Sequence, residues 1–218
     1  MNKKETFTRL SILFAGLVIA QLGAAILILS GFGADPFNVL VQGLYRSVAT
    51  ENLSFLTYGC VHILVSAFLT LGLFLINRNL VKSGTLLCMF LGGPLIDLFS
   101  AILTPVYEHY TEASYIYLMF IAGFILLAYG IALMTQSKAG NAPNDLMAAA
   151  FTKPQKKNPF YITLAVHLVF AFIGFLLGGT IGVGTLLCLA GITPMTEYFG
   201  TNMEKKVNSY IKEKLSKK

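Results

Sequence analysis

The sequence predicts an all-α membrane protein: six transmembrane helices forming two inverted three-helix repeats, each with a short proline-led helix that does not span. Three observations predict it. The chain has 218 residues, of which 56% are hydrophobic and 12% charged, whereas a soluble domain carries about 25% charged residues. Its apolar residues fall into six runs of about the 20 residues that a spanning helix needs, and the mean hydropathy is +0.71. Its basic residues fall in alternate connections, and an internal repeat relates the two halves.

In chain order, the first run covers 10–31. It follows a basic start, as a signal peptide would, but it exceeds the roughly 7–15 residues of a signal core and lacks a small-residue cleavage site, so it reads as a retained span. The stretch 35–48 begins Asp35-Pro36 and is too short to span. Further spans follow at 55–77, 82–104 and 114–136. A second short stretch, 142–153, begins Ala142-Pro143, and the last two spans are 159–178 and 181–199. Proline suits the first turn of a helix because its missing N–H has no partner there anyway, so each short stretch reads as a helix starting at its proline. The chain thus divides into a first repeat at 1–105, a second at 113–200 and a basic tail at 201–218. In the tail, Met203, Val207, Tyr210, Ile211 and Leu215 share one helical face among lysines, the pattern of a helix lying on the inner membrane surface.

The formal charge is +6, and its placement reports topology. Lys3, Lys4 and Arg9 precede the first span; Arg78 and Lys82 separate the second and third; Lys138, Lys153, Lys156 and Lys157 separate the fourth and fifth; and six lysines follow the sixth. Only Arg46 falls elsewhere, in connections that also hold Asp35, Glu51, Glu108 and Glu112. Because basic residues favour the cytoplasmic side, both termini are expected inside. The partners implied are a lipid bilayer and a small solute, not nucleic acid; a homo-oligomer is left open. Cys60, Cys88 and Cys188 all lie in apolar runs and suggest no disulfide framework.

The repeat is an ordered set of matches. Ser30, Gly33 and Pro36 recur as Ser137, Gly140 and Pro143; Asn38 falls opposite Asp145 and Arg46 opposite Lys153. Val61-His62 recurs as Val166-His167, and Gly-Thr-Leu-Leu-Cys at 84–88 recurs at 184–188. Pro94, Asp97 and Phe99 then match Pro194, Glu197 and Phe199. Three spans per half is an odd number, so the second half is expected to insert upside down.

Gly33-Ala-Asp-Pro-Phe-Asn38, followed by Gln42-Gly43-Leu44, and the glycine-rich stretch 178–185 together resemble the YczE/YyaS/YitT-type bacterial integral membrane proteins, most closely the YczE-like branch. The resemblance extends over about 10–200 and implies a small bacterial plasma-membrane protein. It implies nothing about a substrate.

The candidate substrate-binding or pathway residues are Pro36, Asn38, His62, Pro143, Asn144, Asp145 and His167. The starts of the short helices carry free N–H groups and partial positive charge. If these helices are re-entrant they can hold an anion or a polar solute; if they lie flat at the interface they cannot. His62 and His167 lie about 10–14 Å inside their spans at 1.5 Å per residue, where a solute contact or a packed structural imidazole are both open. Intramembrane ionisable groups are costly and point to function. Asp97 and Glu197, nearer opposite faces, read as gating or supporting groups, with proton or cation coupling and simple hydration as the alternatives. Asp35, Asn38, Asn144 and Asp145 also suit helix capping. No zinc-type His/Cys spacing, nucleophile elbow or phosphate loop occurs, so neither an enzyme nor a resident metal or cofactor is expected. The leading expectation is a permease working by alternating access. The alternatives are a passive channel and a non-transporting accessory protein that binds a partner.

Overall fold

The computed structural model describes residues 3–49, 55–109, 112–155 and 159–216. Glu51, Lys156, Lys157, Lys217 and Lys218, used above as topological markers, lie outside the described residues, as does the side chain of Lys153. The described residues form eight α-helices: α1 (Lys3–Ser30), α2 (Pro36–Val48), α3 (Tyr58–Asn77), α4 (Ser83–His109), α5 (Ala113–Ser137), α6 (Pro143–Gln155), α7 (Pro159–Leu176) and α8 (Val183–Ser216). A single 3₁₀ turn, Arg78–Leu80, follows α3.

Among the described residues, α1, α3 with its 3₁₀ turn, α4 and α5 are long and apolar enough to cross a bilayer. Four such helices, not six, correct the expectation of two inverted three-helix repeats. The fifth apolar run yields the shorter helix Phe160–Leu176, about 26 Å at 1.5 Å per residue against a hydrocarbon core of about 30 Å. The sixth run is not a separate element. It continues into the basic tail as one 34-residue helix, and Thr193, Pro194, Thr196 and Glu197 dilute its apolar part. The chain is nonetheless a multi-pass membrane protein. Leu64, Phe68, Leu71 and Leu75 form an exposed stripe along α3, at the spacing of one helical face, as a lipid-facing surface requires.

The tail does not form an independent surface helix. It extends α8, and Val207 and Ile211 bury their side chains against Ile12 of α1, with Leu133, Met203 and Leu215 alongside. The apolar face is therefore covered by the protein itself.

The centre of the bundle is the antiparallel pair α1–α5. With no water to expel between helices in lipid, association rests on close packing of small residues. Gly16 and Gly23 on α1 face Gly130 and Gly123 on α5 so closely that a methyl group on Gly16 would meet the Gly130 carbonyl at 2.8 Å. Leu13, Leu17, Ala24 and Leu27 of α1 then join Leu127 and Met134 of α5, with Cys88 of α4 and Cys188 of α8, in one buried cluster. All three cysteines are free thiols.

The repeated Gly-Thr segments do a job that the sequence did not reveal. The Gly184 N–H at the start of α8 donates to the Phe32 carbonyl at 2.9 Å, and the Gly84 N–H at the start of α4 donates to the Ala139 carbonyl at 3.2 Å. Each clamps the loop that leads into a short helix. Gly33 (φ 114°) and Gly140 (φ 143°) lie in those loops, in backbone conformations that favour glycine. They pack directly on Thr185 and Thr85 respectively.

Candidate functional site

The clamped loops aim the starts of α2 and α6 into the middle of the bundle. Pro36 and Pro143 are both fully buried, so neither short helix begins on the bundle surface. The two starts open onto one cavity of about 60 Å³, bordered by Gln21 of α1 and by residues of every other helix. Its lining includes Pro36, Asn38, His62, Pro143, Asn144, Asp145 and His167. The structure thus brings together all seven residues singled out as a possible pathway.

Local chemistry explains how each is held. Asp35 caps α2, its Oδ2 accepting from the Asn38 N–H at 3.3 Å and its Oδ1 from Asn38 Nδ2 at 2.6 Å. A carboxylate here satisfies an orphan amide and complements the positive helix start. That start is therefore not free for an external anion. Asn38 is fixed further by Tyr58, whose hydroxyl donates to Asn38 Oδ1 at 2.8 Å. On α6, Asn144 Nδ2 donates to Asp145 Oδ1 at 3.1 Å, and Asp145 occupies the first helical turn.

His62 and Ser66 lie one turn apart on α3, a spacing that puts both on the same helix face. They are 5% and 1% exposed. His62 stacks edge-on against Phe37, with ring centroids 5.2 Å apart. Gly92 on α4 makes room for the imidazole: a methyl group there would meet His62 Cε1 at 2.7 Å and Gln21 Nε2 at 2.8 Å. Even so, His62 Nδ1 and Ser66 Oγ have no hydrogen-bond partner among the described residues. His167, 9% exposed, lines the same cavity from α7.

Asp97 and Glu197 do not reach the cavity. Asp97 Oδ1 accepts from the Gly59 N–H at 2.8 Å, capping the first turn of α3. It also lines a separate, more open crevice of about 460 Å³ with Tyr45, Thr57, Tyr58 and Ser100. Glu197 is exposed on α8.

Sequence reasoning missed Gln21, Ser66, Cys88 and Tyr58. Ser66 was legible from its i+4 spacing to His62. Tyr58 was not, because only the fold brings its hydroxyl to Asn38. The glycine-rich stretch 178–184 serves close packing, as its composition suggests: Gly179 abuts the Val39 carbonyl and Gly182 the Phe32 carbonyl. α2 holds the same connection. Gln42 Oε1 accepts from the Thr180 N–H at 2.7 Å, and Arg46 donates to the Gly178 carbonyl at 2.8 Å and to Thr180 Oγ1 at 2.9 Å.

Among curated proteins, the chain is 29% identical over 186 residues to the Uncharacterized membrane protein YczE of Bacillus subtilis, a match covering 85% of this chain and 82% of that protein. It is 28% identical over 180 residues to the Uncharacterized protein YyaS of the same organism, covering 81% and 86%. An Uncharacterized protein of Haemophilus influenzae is 27% identical over 194 residues, covering 88% and 84%. No solved structure matches. Residues 7–201, nearly the whole chain and all of the cavity lining, match the Family of unknown function (DUF6198), and the protein belongs to that family.

Proposed function

We propose that the protein is a permease of the bacterial plasma membrane that carries a small polar solute, chemically unchanged, by alternating access to the central cavity. One observation carries this reading. Two polar atoms on one helix face, His62 Nδ1 and Ser66 Oγ, are buried on the cavity wall without a partner. Leaving such a group unsatisfied costs about 1–3 kcal/mol, and a polar solute supplies the missing bonds. The cavity of about 60 Å³ has room for only a few water-sized groups. Such a volume fits a carrier closed around its site better than an open pore.

The basic residues support an orientation with both termini cytoplasmic. Arg9 of α1 donates to the Ser137 carbonyl at 3.0 Å, and Lys82 donates to the Lys138 carbonyl at 3.2 Å. These bonds gather three basic connections at one end of the bundle, where the α8 tail also packs. Basic residues favour the cytoplasmic face.

Uptake into proteoliposomes is the test, with a broad solute set and with or without a pH gradient. Saturable uptake that disappears when His62→Ala and His167→Ala are combined is the expected result. Flux that never saturates would point to a channel. Folded protein that moves nothing, together with a cellular phenotype indifferent to the double substitution, would point to an accessory role.

A further inference from the structure

The cavity and the Asp97 crevice are separate volumes with no lining residue in common, and Tyr58 reaches from one toward the other. The ring of Tyr58 lines the crevice, while its hydroxyl is bonded to Asn38 on the cavity wall. Tyr58 is also packed edge-on to Tyr45 at 6.0 Å. Its hydroxyl is shared between Asn38 Oδ1 at 2.8 Å and the Asn38 carbonyl at 3.1 Å, and its ring packs against both neighbouring apolar clusters.

The charges on the two sides have one sign. Asp35 and Asp145 line the cavity and Asp97 lines the crevice, while neither contains Lys or Arg. The two carboxyl groups lie beside two positive helix starts. The free groups narrow the class further. The Ser66 hydroxyl can donate or accept and His62 Nδ1 does either according to its tautomer, while the unused carboxylate lone pairs accept only and call for a donor. No group of three or more His, Cys, Asp or Glu among the described residues is arranged to hold a metal ion.

We propose that the site takes a small ammonium-type cation bearing N–H donors, admitted from the Asp97 crevice when Tyr58 releases Asn38. The proposal rests on the permease reading for its purpose, but its test does not require transport.

Cys88 lies on the cavity wall and serves as a native reporter. With Cys60→Ser and Cys188→Ala, Cys88 becomes the single thiol. Purified protein in detergent is treated with aminoethyl methanethiosulfonate, a primary ammonium, or sulfonatoethyl methanethiosulfonate, an anion. Each rate is normalised to that of a free thiol in solution. The ammonium reagent should modify Cys88 at least about tenfold faster, the free-energy equivalent of about 1.4 kcal/mol. Methylammonium chloride should slow the reaction and sodium formate should not. Tyr58→Phe, which keeps the ring and removes the bond, should raise the ammonium rate several-fold; Asp145→Asn should narrow the gap between reagents. Equal normalised rates, or a faster anion, overturn the cation assignment. A thiol inert to both reagents even in a folded Tyr58→Ala variant overturns the gate. If labelling behaves as expected but no solute is taken up by proteoliposomes, the cavity assignment stands and the permease reading fails.

Discussion

Replacing Gly130 by alanine tests whether the α1–α5 seam holds the bundle together. The new methyl carbon would meet the Gly16 carbonyl oxygen at 2.6 Å and the Ala20 Cα at 2.7 Å. Both are backbone atoms of α1, so no side chain can swing away. Ordinary van der Waals contact begins at 3.4 Å and the Ala20 amide nitrogen lies closer still than the Gly16 oxygen, so the helices must separate locally by more than 3.4 − 2.6 = 0.8 Å. A gap of 0.5–1 Å forfeits roughly a quarter to a half of each contact's attraction, and overpacking of this kind costs about 1–3 kcal/mol. Gly72→Ala on α3 provides the control of opposite sign. A methyl group there meets nothing within 4 Å, and alanine is favoured over glycine inside a helix by about 1 kcal/mol. The same gain applies at Gly130 within α5 and cancels, so unfolding of the purified protein in mixed micelles, followed by circular dichroism, should place the two variants about 1–3 kcal/mol apart. If Gly130→Ala is as stable as the parent protein while Gly72→Ala gains stability, the seam is looser than its geometry requires and the argument fails.

Three further outcomes follow. Asp97→Ala leaves the Gly59 N–H without its acceptor and should cost about 1–3 kcal/mol; Asp97→Asn keeps an acceptor oxygen and should recover most of it by the same unfolding measurement. Arg46→Ala removes both donors to the 178–180 connection, so hydrogen exchange over 177–181 should accelerate while the α1–α5 seam stays protected. Single cysteines introduced as Asn79→Cys and Glu108→Cys should label from opposite sides of intact cells, the second from outside; external labelling of the first would overturn the proposed orientation.

The apolar runs and the proline-led starts of α2 and α6 were legible because they depend on local chemistry: length, composition and a missing N–H. The span count was not. Whether 159–178 and 181–199 make full spans depends on where α7 stops and on α8 running through Pro194 into a lysine-rich tail, and hydropathy alone does not record helix continuity. The repeat marked which residues of the two halves correspond, so Pro36 with Pro143 and His62 with His167 could be paired on paper. It said nothing of the partners each residue finds. Asn38 and Asp145 are matched positions, yet one is held by Tyr58 and a capping aspartate and the other by its neighbour Asn144. An anion, one of the two occupants considered for the helix starts, finds the α2 start already taken by Asp35.

The two halves also differ where a carrier would need them to differ. On the α3 side, His62 Nδ1 and Ser66 Oγ have no hydrogen-bond partner among the described residues, and the Tyr58 hydroxyl reaches both Asn38 Oδ1 and the Asn38 carbonyl. On the α7 side, Leu164 and Ala171 stand at the positions that match Gly59 and Ser66 by the spacing of the two histidines. So α7 supplies His167 but no second hydroxyl one turn on. Glu197, the match of Asp97, is exposed rather than capping a helix start. On the proposed reading, an occupant is held against α3, and its release toward the Asp97 crevice requires parting the Tyr58 hydroxyl from both Asn38 oxygens, a shared bond worth about 0.5–1.5 kcal/mol net. Release toward the α7 side requires parting α2 from α7, where Gly43 and Gly174 put the backbones in direct contact. In the proposed cycle, the easier opening is thus on the crevice side.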